Sequence, residues 1–162
     1  RKVVQQEELV ARSAEMRGKG QILVLTNGCF DLLHLGHVRY LEQARALGDA
    51  LAVGVNTDAS VRRLKGPDRP VTPQNDRAEI LAGLAAVDFV VLFDEETAAE
   101  LVGAVKPMLY VKGGDYSADP ESEHFPVEGH AVRAYGGETR IVDLVPGHSS
   151  SRVLEERNFS RS

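Results

Sequence analysis

Two histidines three residues apart are the first candidates for chemistry. The stretch "TNGCFDLLHLGH" places His34 and His37 around Gly36, directly after the apolar run "QILVL". Residues three apart share one face of a helix, so both imidazoles can point towards the end of the preceding strand. An imidazole donates hydrogen bonds to charge developing on a phosphate, and the free amides at a helix start add positive potential. The spacing therefore predicts a site for a nucleoside triphosphate that is attacked at phosphorus.

Other interpretations of the same stretch stay open. The histidines could fill the core, or they could bind a metal, although H-E-x-x-H is absent and only His148 could join them through the fold. Cys29 could act as a nucleophile beside His34, but a thiol at the end of a buried strand is usually a packing residue. The stretch also lacks the G-x-G-x-x-G spacing of a dinucleotide-binding loop. We therefore predict no metal held by the protein alone.

A second candidate segment, "DASVRRLKGPDRPVTPQNDR", concentrates cations in an acidic chain whose formal net charge is -5. Its basic residues are Arg62, Arg63, Lys65, Arg69 and Arg77. Such a run is more often a solvated face than a site. This one follows a predicted strand, and the Gly-Pro turn after Lys65 could lay that side chain over phosphates near His34. Lys65 and Arg77 are therefore the best candidates for neutralising phosphate charge.

Two further segments follow predicted strands. The first, "VKGGDY", supplies Lys112, Gly113 and Asp115. Its glycines allow close backbone approach to a ligand, although the segment could be only a turn. The second, "VPGHSSSRV", supplies Ser149, Ser150 and Ser151. Serines at a helix start add hydroxyls to the free amides and the dipole that bind anions, whereas a cap alone needs only one.

Alternating strands and helices must position these segments. Apolar runs bounded by turn signals predict five strands, in "QILVLTN", "ALAVGVN", "VDFVVLF", "MLYVKGG" and "TRIVDLV". Helical patterns occur in "HVRYLEQARAL", "PQNDRAEILAGL", "EETAAELVGAV" and "SSSRVLEER". This alternation predicts a Rossmann-like, doubly wound α/β fold with a mainly parallel sheet and helices on both faces. Ligands of such folds bind beyond the carboxyl ends of the strands, where the candidate segments fall.

Helical periodicity also predicts which side chains face the core. The inward residues of the first predicted helix are Val38, Leu41, Ala44 and Leu47, and those of the second are Ile80, Leu81 and Leu84. The segment 115–126, "DYSADPESEHFP", has no periodicity and is predicted to be a mobile loop over the sheet edge.

Length and composition narrow the function classes. The 162 residues predict a single domain at 1–162, with a core at about 21–155, an N-terminal helical segment at 1–20 and a tail at 156–162. The acidic balance argues against general nucleic-acid binding. No apolar run approaches the roughly 18 residues that a membrane span needs. The single cysteine excludes an internal disulfide, so we expect a cytoplasmic protein. The acidic charge and the short apolar runs predict no nucleic-acid or membrane partner.

The order of these motifs resembles the nucleotidyltransferase superfamily of cytidylyltransferases and adenylyltransferases. The H-x-G-H turn, the lysine loop and the serine-capped helix follow the family order from about residue 21 to 155. Members join a nucleoside triphosphate to a phosphorylated acceptor and release pyrophosphate, with the acceptor phosphate attacking the α-phosphorus directly. The resemblance implies that His34 and His37 bind and stabilise the triphosphate in the transition state.

Within the superfamily, the chain looks closely like the adenylyltransferase domains that make ADP-heptose from D-glycero-D-manno-heptose 1-phosphate. The similarity lies in "TNGCFDLLHLGHVRYLEQARALGDALAVGVNTDASVRRLKG", "RPV", "VDFVVLF" and "VKGGDY". Glycerol-3-phosphate cytidylyltransferases typically carry R-T-E-G-I-S-T-T where this chain has "VPGHSSSR", and the heptose enzymes usually show S-T-T there. The stretch "SADPESEHFPVEGHAVRAYGGE" is longer and more acidic than the resemblance leads us to expect.

Motifs and resemblance together assign roles to individual residues. The predicted catalytic residues are His34, His37 and Lys65. The predicted nucleotide-binding residues are Thr26, Asn27, Gly28, Cys29, Phe30, His34, Gly36, His37, Arg77, Lys112, Gly113, Asp115, Ser149, Ser150 and Ser151. The predicted acceptor-binding residues are Asp31, Asp58 and Lys65.

The resemblance also implies substrates and partners. We expect ATP and a sugar 1-phosphate as substrates, Mg²⁺ arriving with ATP, and a homodimer. Many relatives fuse this domain to a heptose 7-phosphate kinase, for which 162 residues leave no room. A separate kinase and phosphatase are therefore expected to supply the acceptor. The alternatives are a cytidylyltransferase for glycerol 3-phosphate or a related phosphate acceptor, and a non-catalytic nucleotide-binding module.

Overall fold

A five-stranded sheet forms the centre of the computed structural model, which describes residues 1–143. The strands are β1 (Leu23–Gly28), β2 (Ala50–Asn56), β3 (Phe89–Phe93), β4 (Leu109–Gly113) and β5 (Glu138–Val142). Their order is β3-β2-β1-β4-β5, and every neighbouring pair is parallel. Each strand overlaps one predicted apolar run, so the predicted fold class is confirmed. The winding direction reverses between β1 and β4, which opens a crevice at their carboxyl ends.

Helices cover both faces of the sheet. They are α1 (Gln6–Gly18), α2 (Leu35–Arg45), α3 (Asp58–Lys65), α4 (Gln74–Ala82), α5 (Ala99–Val105) and α6 (Val127–Arg133). One hydrophobic cluster packs α2 and α4 on the sheet through Leu41 and Leu81, and a second packs α1, α5 and α6 through Leu9, Val102 and Val132. Within residues 1–143, no helix combines the length and the apolar character that crossing a membrane requires.

The residues that helical periodicity predicted to face the core are buried in α2 at two positions, but one of those predicted in α4 is exposed. Leu41 and Ala44 of α2 are fully buried. In α4, however, Ile80 is 49% exposed, so its predicted inward position is wrong. The physical reason is Arg77, whose buried side chain turns the face that carries Ala78 and Leu81 towards the sheet.

Two helices, α3 and α6, were not predicted from the sequence. In α3, the Thr57 hydroxyl accepts a hydrogen bond from Ser60 N–H at 3.2 Å, while an acid in the first turn and bases in the last complement the dipole. Helix α5 begins at Ala99, four residues later than "EETAAELVGAV" suggests, because Glu95 O and Ala98 N–H bond other segments. The predicted helix "SSSRVLEER" lies outside the described residues.

The segment 115–126 has neither helix nor strand, and it closes on itself. Ser117 N–H donates to His124 O at 2.9 Å across the loop. Phe125 then packs over Gly129 in α6, where an added Cβ would lie 2.4 Å from the Phe125 ring. This close approach seats α6 against the end of the loop.

Residues near the N-terminus lie along the outer edge of β3. Val3 forms a parallel bridge with Val90. Val4 N–H donates to Val90 O at 2.9 Å, and Val90 N–H donates to Lys2 O at 2.8 Å. Both backbone groups of Val90 are therefore paired with the N-terminal segment.

Candidate active site

The turn between β1 and α2 is built around Phe30. Its φ of 49° lies in the left-handed region, which is uncommon for a bulky residue and typical of strained functional turns. The ring packs over Gly28, where an added Cβ would lie 3.0 Å from Phe30 Cε2. The same ring meets the His37 ring edge-on at a centroid distance of 5.5 Å. Gly28 thus makes room for Phe30, and Phe30 packs against His37.

The two histidines form a stacked pair at the start of α2. Their ring centroids are 4.0 Å apart and their planes differ by 24°. The His34 backbone N–H donates to His37 Nδ1 at 3.4 Å. Because Nδ1 accepts this bond, the proton of a neutral His37 lies on Nε2. His37 therefore has Nε2–H as the donor that can serve a ligand.

Burial lowers the pKa of His37 to about 4, and the neighbouring charges of His34 and Lys65 act in the same direction. His37 is therefore neutral at pH 7. Lys65 ends α3 and is exposed, and its catalytic role stays a prediction. A neutral donor next to an exposed ammonium is suited to binding phosphate oxygens.

The depressed pKa of His37 predicts a pH-dependent stability. Between pH 6.5 and about 4 the unfolded chain binds a proton that the folded chain does not. The contribution of the neutral His37 to the free energy of unfolding is therefore fully present above pH 6.5 and is lost as the pH falls towards 4. Urea unfolding at about pH 7.5 and about pH 5 should show a steeper loss for the wild type than for His37→Gln. Equal losses in the two proteins would contradict the burial of a neutral His37.

Arg77 joins four segments beneath this turn. Its side chain is fully buried. It donates to Thr72 O at 2.8 Å, to Cys29 O and Asn56 O at 2.7 Å each, and to Asp58 Oδ1 at 2.7 Å. These contacts tie the turn after β1 to the end of β2 and the start of α3. They are contacts of a positioning residue, and direct phosphate binding by Arg77 stays a prediction.

Asp31, in the turn between β1 and α2, also ties this turn to a neighbouring segment. Its buried carboxylate accepts hydrogen bonds from Val71 N–H at 2.9 Å and Thr72 N–H at 2.8 Å, and it pairs with Arg69 Nε at 2.7 Å. Both oxygens are engaged by the loop after α3. Asp58 likewise bonds Arg77, so the acceptor-binding roles predicted for both acids stay predictions while their contacts hold the loops together.

The side chains at the end of β1 point to opposite faces of the sheet. Thr26 is buried, and its hydroxyl lies 2.7 Å from Tyr40 Oη, which in turn donates to Val111 O at 3.1 Å. Asn27 accepts a hydrogen bond from the Tyr110 hydroxyl on the other face. Thr26 is therefore part of the packing between β1, α2 and β4, and the Asn27 amide nitrogen is the group left to contact a ligand.

Glu128 in α6 is a polar residue that sequence reasoning missed. It is 5% exposed, and its Oε2 accepts a hydrogen bond from Ala98 N–H at 3.1 Å. Burial and the nearby Glu128 carboxylate hold the pKa of Tyr110 well above its usual value. The sequence feature that could have identified Glu128 is its four-residue spacing from Val132, which places both residues on the inward face of α6.

The "VKGGDY" segment brings Lys112 to the crevice. Burial lowers the pKa of Lys112, while the nearby Glu128 carboxylate opposes the shift. Its Nζ lies 5.2 Å from the centroid of the Tyr116 ring. Because β1 and β4 are paired in parallel, their carboxyl ends point in the same direction. Gly113 ends β4, and Asp115 is exposed.

The remaining predicted site residues differ in burial and in contacts, and some lie outside the described residues. Gly36 is buried in the first turn of α2. Cys29 Sγ lies 3.8 Å from Asn56 Oδ1, beside the carbonyl that Arg77 binds. Ser149, Ser150 and Ser151 lie outside the described residues. Among residues 1–143, no group of three or more histidine, cysteine, aspartate or glutamate side chains has an arrangement able to hold a metal.

Comparison with known proteins places this geometry in a family. The model of the cytidylyltransferase-like family matches residues 25–156. The bifunctional protein HldE of Alkalilimnicola ehrlichii is 53% identical over 156 residues, which are 96% of this chain and 31% of that protein. The bifunctional protein HldE of Syntrophotalea carbinolica is 51% identical over 139 residues, or 86% of this chain and 27% of that protein. The chain thus spans less than a third of these relatives.

A solved structure shares the fold. The lipopolysaccharide core biosynthesis protein from Thermoplasma volcanium superposes with a TM-score of 0.62 and is 32% identical. The match covers 78% of this chain and 98% of that protein. The family match covers most of β1, the histidine pair, the Lys65 helix and the "VKGGDY" segment together. The chain therefore belongs to the cytidylyltransferase-like family of nucleotidyltransferases, as the order of its motifs predicted.

Proposed function

We propose that this chain is an adenylyltransferase domain that transfers AMP from ATP to D-glycero-β-D-manno-heptose 1-phosphate. The products are ADP-heptose and pyrophosphate. The observation that carries the nucleotidyl transfer is the neutral His37, stacked on His34 and close to Lys65 at the carboxyl end of β1. Fixed donors in this arrangement suit a reaction in which charge moves between phosphate groups.

The proposed reaction is a direct displacement at the α-phosphorus. An oxygen of the acceptor phosphate forms a bond to the α-phosphorus, while the bond from that phosphorus to the bridging oxygen breaks and its electron pair leaves with pyrophosphate. His37 Nε2–H and the Lys65 ammonium stabilise the charge that gathers on the departing group. The protein forms no covalent intermediate, so positioning and electrostatics supply the rate enhancement. Mg²⁺ enters as the complex with ATP, held mainly by its phosphates.

The heptose acceptor rests on similarity rather than on the geometry. The long match to domains that make ADP-heptose supports it, and so does high identity to two proteins named bifunctional protein HldE. A cytidylyltransferase acting on glycerol 3-phosphate is the second candidate, because the family model is described as cytidylyltransferase-like. The homodimer and the separate kinase and phosphatase stay predictions.

A substrate panel tests the proposed function. Pyrophosphate release is measured with ATP or CTP against both anomers of heptose 1-phosphate and glycerol 3-phosphate, with a reaction lacking acceptor as the control. We expect release with ATP and the β-anomer, and its loss in excess chelator. Turnover with CTP and glycerol 3-phosphate would replace the proposal by the second candidate. Tight ATP binding without pyrophosphate from any acceptor would indicate a non-catalytic module.

A further inference from the structure

The guanidinium of Arg69 is fixed at one nitrogen and incompletely bonded at another. Its Nε donates to Asp31 Oδ2 at 2.7 Å. Within residues 1–143, Nη2 is buried and donates to no protein group. A buried donor without an acceptor is destabilising, and more so when it is charged. Such groups are rare in native proteins and usually have a partner such as a ligand or an ordered water.

The carboxylate that orients Arg69 is fully used by the protein. Burial acts to raise the pKa of Asp31, but the Thr72 and Val71 amides and Arg69 outweigh it and hold the pKa below its usual value. Asp31 is therefore ionised at neutral pH. Its side chain is 1% exposed, whereas that of Arg69 is 16% exposed. Arg69 is thus the member of the pair that is partly open to solvent.

Other cations of the segment 62–77 differ from Arg69 in their contacts. Arg77 donates to four protein oxygens and is fully buried. Arg63 bonds Asp94 at the surface. Arg69 combines a fixed orientation with a donor left over, and its partner Asp31 directly follows Phe30, whose ring touches His37.

We propose that Arg69 binds a phosphate group of the substrates and that Asp31 is the positioning residue that aims it. This inference rests on the nucleotidyl transfer proposed above. A planar guanidinium matches the oxygens of a phosphate, and its orientation by a buried carboxylate lowers the entropy lost on binding. The phosphate belongs either to the triphosphate of ATP or to the sugar 1-phosphate, and kinetics separates these two sources.

Steady-state kinetics of Arg69→Gln, Arg69→Lys and Asp31→Asn tests the proposal. Hydrogen bonds to charged groups contribute about 1.5–3 kcal/mol, so Arg69→Gln should raise one KM by about 10- to 100-fold. A rise in the KM for ATP identifies the triphosphate, and a rise in the KM for the sugar 1-phosphate identifies the acceptor. Arg69→Lys should recover only part of the loss, because an ammonium lacks the planar geometry. Arg62→Gln, in the same basic segment but exposed, is the matched control.

Asp31→Asn separates positioning from simple support of the loop. If Asp31 acts through Arg69, Asp31→Asn should raise the same KM, and the double variant with Arg69→Gln should be little worse than the worse single variant. Lower thermal stability with both KM values unchanged would overturn the positioning role. If Arg69→Gln does not fold, Arg69→Lys provides the test, and unchanged KM values in that folded variant overturn the phosphate contact.

The outcome also distinguishes this inference from the proposed function. If the wild type turns over and a folded Arg69→Gln keeps both KM values within about twofold, only the role of Arg69 fails. If the wild type releases no pyrophosphate with any acceptor, the proposed function fails. Calorimetric binding of Mg-ATP and of heptose 1-phosphate then decides: weaker binding of either one by Arg69→Gln supports the phosphate contact, and unchanged binding of both overturns it.

Discussion

His37→Ala is expected to lower the turnover number by about 100- to 1,000-fold while the protein stays folded, the loss that follows removal of one fixed donor from an active site. The reason is that Nε2–H of a neutral His37 stabilises charge on the triphosphate only as the transition state forms. Pyrophosphate release under saturating substrates measures the effect. His124→Ala, which removes an exposed histidine, is the matched control and should retain wild-type turnover.

The direction of donation can be tested at the same position. Glutamine extends its amide N–H₂ to about the place of Nε2, whereas asparagine reaches only about as far as Nδ1. His37→Gln should therefore retain more turnover than His37→Asn. Near-full turnover in a folded His37→Ala would remove His37 from the mechanism, and equal loss in the two amide variants would contradict donation through Nε2.

Arg77→Ala is expected to lower the free energy of unfolding by about 3–5 kcal/mol, as removal of one partner from a buried ion pair does. The substitution leaves the Asp58 carboxylate without its partner, and it leaves the carbonyls of Thr72, Cys29 and Asn56 without their donor. Equilibrium unfolding in urea measures the change. Arg77→Lys should also be destabilising, because one ammonium cannot reach all four oxygens.

Arg62→Ala is the control for this experiment, because it removes an exposed arginine from the same segment. It should change the free energy of unfolding by no more than about 0.5 kcal/mol. A loss of less than about 1 kcal/mol in Arg77→Ala would contradict the role of Arg77 in holding these segments together.

The fold was predictable because the central strands β1 and β2 are buried on both faces. Such strands read as continuous apolar runs, and "ALAVGVN" corresponds to β2 residue for residue. Helices α3 and α6 were not predictable in the same way. Four of the eight residues of α3 are charged, and α6 has only seven residues after a proline. Neither offers the long apolar stripe on which helix prediction depends.

The candidate site was predictable in position but less in chemistry. Strand-end placement brought His37, Lys65 and Lys112 to one end of the sheet, because parallel strands share a carboxyl edge. Residue type alone did not reveal that Arg77 is buried, since Cys29 and Asn56, two of its partners, lie 48 and 21 residues away. The neutral state of His37 likewise depends on its burial, which the residue type alone does not reveal.

The N-terminal bridge to β3 has a consequence for self-association. An edge strand with unpaired N–H and C=O groups is a template on which a second chain can add a strand, and long apolar edges promote aggregation. The sequence of β3, "FVVLF", is entirely apolar. Because Lys2 and Val4 already bond both backbone groups of Val90, the middle of this template is occupied. These N-terminal residues thus occupy the backbone groups through which a second chain could extend the sheet at the middle of β3.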